Sequence, residues 1–105
     1  MAMSGSKLTL DDYQSLIKQL VLERGFEKET VAEVFMLLQE ETGELAKAIR
    51  KSSGMKTSDH SKTHNLEEEL ADVLWLVFDL ANRLNINLTK AFADKEKENQ
   101  NRIWK

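Results

Sequence analysis

The chain has 105 residues, with 18 Asp and Glu against 15 Lys and Arg for a net charge of −3, no proline, no cysteine and only four glycines. Average usage would supply about 5 prolines and 7 glycines in this length, so a sandwich or barrel with a tight turn every ~8–12 residues is disfavoured and long helices are expected. The charge balance offers no basic field for a nucleic-acid polymer or an anionic membrane, and without cysteine there is no disulfide, thiolate zinc site or thiol nucleophile. No apolar run reaches the ~18 residues of a membrane span, and residues 1–6 lack the charged and apolar regions of a signal peptide. The expectation is a single cytoplasmic domain over residues 1–105, with a disordered tail at 1–7.

Periodicity and caps predict four helices. The first runs from about Leu10 to Glu23 behind the N-cap Thr9, with Tyr13, Leu16, Ile17, Leu20 and Val21 as its apolar stripe and Gly25 as its stop. The second opens on the capping box Thr30-Val31-Ala32-Glu33 and carries Val34, Phe35, Leu37, Leu38, Leu45, Ala48 and Ile49 at helical spacing to about Lys51. Residues 52–64 are rich in Ser, Thr, Lys, Asp and His with Met55 as the one large apolar side chain, a composition expected of a mobile loop. The third helix starts at Asn65 with Glu68 three residues on, and its apolar positions cover nearly all of its circumference, so it is expected to be buried at the centre of the bundle. The fourth follows Asn85-Ile86-Asn87, with Leu88, Ala91 and Phe92 before a polar end.

Two helices repeat one device. Glu41 and Glu44 stand three residues apart on the second, as do Glu69 and Asp72 on the third, so each pair projects from one face of its helix. Antiparallel packing of the two helices would bring all four carboxylates together. A solvated acidic face is the simpler use of such glutamates. Asp72 argues against it, because it falls within the most hydrophobic stretch of the chain, Leu70 to Leu80, where a buried carboxylate requires a cation. An all-oxygen donor set suits a hard ion, Mg²⁺ or Mn²⁺, rather than zinc. The Glu-x-x-His pattern of di-iron bundles is absent from both pairs. Carboxylates on facing helices that leave metal positions open to water and substrate oxygens point to chemistry on a phosphate ester or anhydride.

The run Leu37-Leu38-Gln39-Glu40-Glu41-Thr42-Gly43-Glu44-Leu45-Ala46, followed by Glu68-Glu69-Leu70-Ala71-Asp72-Val73-Leu74, resembles the Glu-Glu-x-x-Glu and Glu-x-x-Asp signature of MazG-like nucleoside triphosphate pyrophosphohydrolases. Lys95, Asn99 and Arg102 resemble that family's Lys-x-x-x-Asn-x-x-Arg ending. The resemblance implies an all-α, four-helix antiparallel fold that assembles as a homodimer or homotetramer. It also implies cleavage of the α–β phosphoanhydride of a nucleoside triphosphate, with Glu41, Glu44, Glu69 and Asp72 binding Mg²⁺. Glu40 would then join Glu41 as a catalytic acidic group able to orient or deprotonate water. Lys95, Asn99 and Arg102 lie at i, i+4 and i+7, one stripe that could hold phosphate or sugar oxygens. Lys47 either reaches a phosphate or pairs with Glu44, and Trp75 either stacks on a base or packs in a core or interface. His60 and His64, without a nearby cysteine, do not make a metal site. Two other readings stay open: phosphoribosyl-ATP pyrophosphohydrolase of histidine biosynthesis, and a non-catalytic helical oligomerisation or regulatory protein.

Overall fold

The computed structural model describes residues 7–54 and 65–102. The described residues form four helices and no strand: α1 Leu10–Glu23, α2 Val31–Ser52, α3 Leu66–Arg83 and α4 Leu88–Gln100. The disordered tail expected at 1–7 falls, apart from Lys7, outside the described residues. So does the loop expected at 52–64, except that α2 runs to Ser52 and closes through a C-cap at Ser53 and a positive-φ Gly54. Among the described residues no helix is long and apolar enough to cross a membrane.

The helix starts are local chemistry. Thr9 and Thr30 each accept from the backbone N–H three residues on, and Asp12 and Glu33 return a carboxylate to the cap N–H, completing two capping boxes. These hydrogen bonds hold the Asp12 and Glu33 carboxyls below their ordinary values, with Arg83 adding attraction at Glu33. Asn65 and Asn87 cap α3 and α4 through their side-chain oxygens. The stops of α1 and α3 are Schellman turns. In the first, Phe26 N–H donates to Val21 O at 2.9 Å and Gly25 N–H to Leu22 O at 3.2 Å. In the second, Ile86 N–H donates to Ala81 O at 2.8 Å and Asn85 takes the left-handed position with φ 56°. Asn is the side chain that tolerates this conformation best after glycine.

α3 is the hub, packed most extensively on α2 and also on α1, while α4 rests on α1. Ile17 and Val21 of α1 and Phe78 of α3 form the core cluster, with Leu20, Trp75 and Leu88 packed against it. The Tyr13 and Phe78 rings stack at 6.3 Å. Trp75 is therefore packed at the edge of the core, one of the two uses expected of it. The expected burial of α3 all round is corrected: Leu70 and Leu74 are 55% and 52% exposed. The two helices α1 and α2 cannot cover the full circumference of a third, and among the described residues Leu70 and Leu74 stay about half exposed.

The turn between α3 and α4 is tied to α1 by polar side chains that apolar patterning does not reveal, Asp11 at the surface and Gln14 beneath it. Gln14 is buried; its Nε2 donates to Ile86 O at 2.6 Å, its Oε1 accepts from Leu88 N–H at 3.0 Å, and its own carbonyl accepts from Asn82 Nδ2 at 2.9 Å. Truncating it strands a carbonyl and an amide in a partly buried turn. Gln14→Ala should cost about 1–3 kcal/mol in urea unfolding, whereas a change below ~0.5 kcal/mol would show that water replaces these bonds.

Candidate active site

Residue pairing along the two motif helices is antiparallel, since Leu37 shares a cleft with Leu76 while Glu41 meets Asp72 and Glu69. This pairing converts two i,i+3 spacings into one cluster. Carboxylate oxygens of Glu41, Glu69 and Asp72 all lie within 4.8 Å of one another. Glu69 Oε2 is withdrawn from solvent. Glu44, one turn along α2, acts electrostatically on Glu41, and its carboxylate is 4.0 Å from Lys47 Nζ. Lys47 thus sits beside Glu44, as one of its two expected uses requires. Glu40 is exposed and stands outside the three-carboxylate group.

The cluster opens into a cleft of about 320 Å³ lined by Arg24, Phe26, Leu37, Glu41, Asp72, Trp75 and Leu76. One correction concerns Asp72, which is exposed at this cleft and not buried in the apolar run. The hydrophobic residues around it in sequence point to other sides of the helix, so its carboxylate lies at the mouth of the site. The buried acid of α3 is Asp79, 4% exposed, whose Oδ1 accepts from Arg83 Nε at 2.8 Å. Sequence reasoning passed over this pair, although its i,i+4 spacing was a legible signal.

The C-terminal stripe does not reach the cleft within the chain. α4 packs on α1, and none of its residues lines the cleft. Lys95 Nζ lies 3.6 Å from Glu98, and Asn99 Nδ2 donates to Glu96 at 3.5 Å while Asn99 Oδ1 is buried with no hydrogen-bond partner among the described residues. Conversely, Arg24 and Phe26, from the connector between α1 and α2, line the cleft although no motif singled them out. Their only sequence signal is position, on either side of the Gly25 stop.

Burial pushes the Glu41 carboxyl above its ordinary value, and the hydrogen bond with Glu69 and the charges of Asp72, Glu69 and Glu44 push it the same way. Crowded carboxylates with their oxygens converging fit a hard divalent cation, because such an ion relieves the repulsion that raises the pKa. The raised pKa means that the folded chain holds this proton more tightly than the unfolded one. Its contribution to stability is present at low pH and is lost as pH rises from about the ordinary value of 4.5 through the raised one. At pH 7 millimolar Mg²⁺ should raise the melting temperature, by an amount equivalent to about 2.7 kcal/mol at a hundredfold excess over Kd. Asp72→Asn should be more stable than the parent without metal and gain less from Mg²⁺. Coincident melting curves for the parent with and without Mg²⁺ and Mn²⁺ would rule out a cation site here.

Residues 26–103 match the MazG nucleotide pyrophosphohydrolase domain. The fold is similar to that of the "putative pyrophosphatase YPJD from Bacillus subtilis", with a TM-score of 0.80 and 28% identity over 94% of this chain and 100% of the other. It is also similar to iMazG from Vibrio DAT 722, with a TM-score of 0.65 and 33% identity over 90% of this chain and 100% of that one. No curated protein matches the chain. With the domain match spanning most of its length and both motif helices, the chain belongs to the MazG nucleotide pyrophosphohydrolase family, as an all-α nucleotide pyrophosphatase.

Proposed function

We propose that the chain hydrolyses the α–β phosphoanhydride of a nucleoside triphosphate, canonical or damaged, to the monophosphate and pyrophosphate in a Mg²⁺-dependent reaction that Mn²⁺ also supports. The observation that carries this reading is the convergence of Glu41, Glu69 and Asp72 from facing helices at a cleft large enough to admit part of a nucleotide. Glu41, Glu69 and Asp72, with Glu44 completing the set, would hold the metal. When bound, it neutralises phosphate oxygens and lowers the pKa of water. Setting those four aside leaves 14 acidic residues against 15 basic ones, a near-neutral scaffold around one anionic site, so that a triphosphate is attracted only once the cation is present.

Water attacks phosphorus, the bridging P–O bond breaks, and pyrophosphate leaves. Glu40 and Glu41 are the catalytic carboxylates that orient this water and take up its proton, Glu40 from the exposed face one residue from the cluster. Trp75, at the cleft wall and packed on the core, offers a rigid ring face to a base. Lys47, beside Glu44, supplies positive charge at the rim. Lys95, Asn99 and Arg102 serve as phosphate or sugar contacts only through a neighbouring subunit, because α4 lies away from the cleft of its own chain. A homodimer or homotetramer is supported by the half-exposed Leu70 and Leu74 and by an apolar groove of about 270 Å³ between α1 and α3, lined by Tyr13, Leu16, Leu74 and Phe78 among others. We read the protein as a cytoplasmic house-cleaning enzyme.

A panel of ribo-, deoxy- and modified triphosphates, with phosphoribosyl-ATP included, decides the substrate class when pyrophosphate and orthophosphate are detected separately. Glu41→Gln and Asp72→Asn should fold and lose at least about 100-fold in Mg²⁺-dependent pyrophosphate release. Variants that match the parent across the panel would remove these carboxylates from catalysis.

A further inference from the structure

The buried pair Asp79–Arg83 lies at the end of α3 remote from the carboxylates, and the pyrophosphohydrolase signature does not include it. Its contacts lead back to the cleft. Arg83 Nη2 donates to Phe26 O at 2.8 Å, Nη1 donates to Glu29 O, and Nε donates to Asp79 Oδ1 at 2.8 Å. The Arg83 and Asp79 side chains are 12% and 5% exposed. One guanidinium therefore binds two carbonyls of the connector, while the buried carboxylate at i−4 orients its plane. Phe26, whose carbonyl is gripped, lines the cleft together with Arg24, two residues earlier, and with Glu41 and Asp72.

We propose that Arg83 is a positioning residue for the active site, a latch that fixes the α1–α2 connector so that Phe26 and Arg24 form the substrate-facing wall across from the carboxylates. Three features separate a latch from an ordinary ion pair. A buried ion pair contributes little net stability compared with apolar side chains of equal volume, so three oriented donors are better explained by the geometry they impose. Two of those donors are spent on carbonyls between α1 and α2, and the third is fixed by Asp79 of α3. Among the described residues, the connector's other hydrogen bonds are the Schellman turn at Gly25, the capping box at Thr30 and one internal bond from Glu29 N–H to Phe26 O at 3.1 Å. The ligand chemistry of the wall is an aromatic face and a guanidinium at an acidic metal-type cluster, which fits a nucleoside phosphate with its base against the rings of Phe26 and Trp75 and a phosphate toward Arg24.

What the wall binds rests on the proposed function; the latch itself does not, and two independent measurements separate them. In Arg83→Met and Arg83→Lys, limited trypsin digestion should cut after Arg24 or Lys28 at a rate about tenfold above the parent while helical circular dichroism is retained, since lysine keeps the charge on Asp79 but lacks the three-donor fork. With a nucleotide that the parent hydrolyses, KM should rise about tenfold with kcat changed less than about threefold, and Mn²⁺ affinity should be unchanged, because the carboxylates on α2 and α3 stay in place. Phe26→Ala should reproduce the KM increase without the added cleavage. If Arg83→Met unfolds, Arg83→Lys and Phe26→Ala carry the same comparison. Trypsin resistance equal to the parent in a folded Arg83 variant overturns the latch, whatever the activity. Faster cleavage with KM unchanged, or kcat and Mn²⁺ affinity falling together, overturns its role at the site. A parent inactive on every nucleotide refutes the proposed function and the substrate part of this inference, while the trypsin result still decides the latch.

Discussion

The antiparallel packing of α2 on α3 is the constraint from which the rest follows. It is the most extensive helix–helix contact of the fold, and it buries Glu41 among carboxylates that repel one another, so that burial first and repulsion second bind the Glu41 proton more tightly than in a free side chain. The fold thus does work against electrostatics at one place. Residues at which local physics and global packing conflict are where function is expected, and here a divalent cation would relieve the conflict.

Around that packed pair the remaining elements have distinct tasks. α1 covers the other side of α3 and supplies Ile17 and Val21 to the core; Gln14 ties the α3–α4 turn to it by satisfying backbone groups instead of burying carbon. The connector from α1 to α2 completes the cleft and is gripped by Arg83. Two buried polar devices, Gln14 and Arg83–Asp79, therefore set loop geometry at opposite ends of α1. Both use groups with several fixed donors and acceptors, which is what irregular backbone requires.

The half-exposed leucines on α3 and the placement of α4 belong together. A helix that reads as apolar all round but is covered on only two sides has room for another protein surface, and a cationic stripe that matches the family ending while lying far from its own cleft has room to serve a neighbour's. Membership of the MazG family accounts for the chemistry of the cluster, and under the proposed assembly these surfaces would complete a site that one chain only partly encloses.

Helix limits were legible in the sequence because they depend on groups within four residues of each other: Thr9 with Asp12, Thr30 with Glu33, Asn65 with Glu68, and Gly25 at its positive φ. The clustered carboxylates Glu41, Glu69 and Asp72 left a trace for a related reason, since i,i+3 spacing places two side chains on one helical face wherever the helix goes. Tertiary structure alone decided which faces meet. It put Asp72 at the mouth of a cleft and Asp79 in the interior, although both are aspartates in the same apolar run, because seven residues is close to two full turns and the neighbours at those two levels differ. It likewise brought Arg24 and Phe26 to the site from a connector with no motif, and kept Lys95, Asn99 and Arg102 away from it. Contacts between residues more than fifty positions apart, such as Arg83 with Phe26 and Glu29, leave no periodic trace, since nothing in the spacing of either partner records the other.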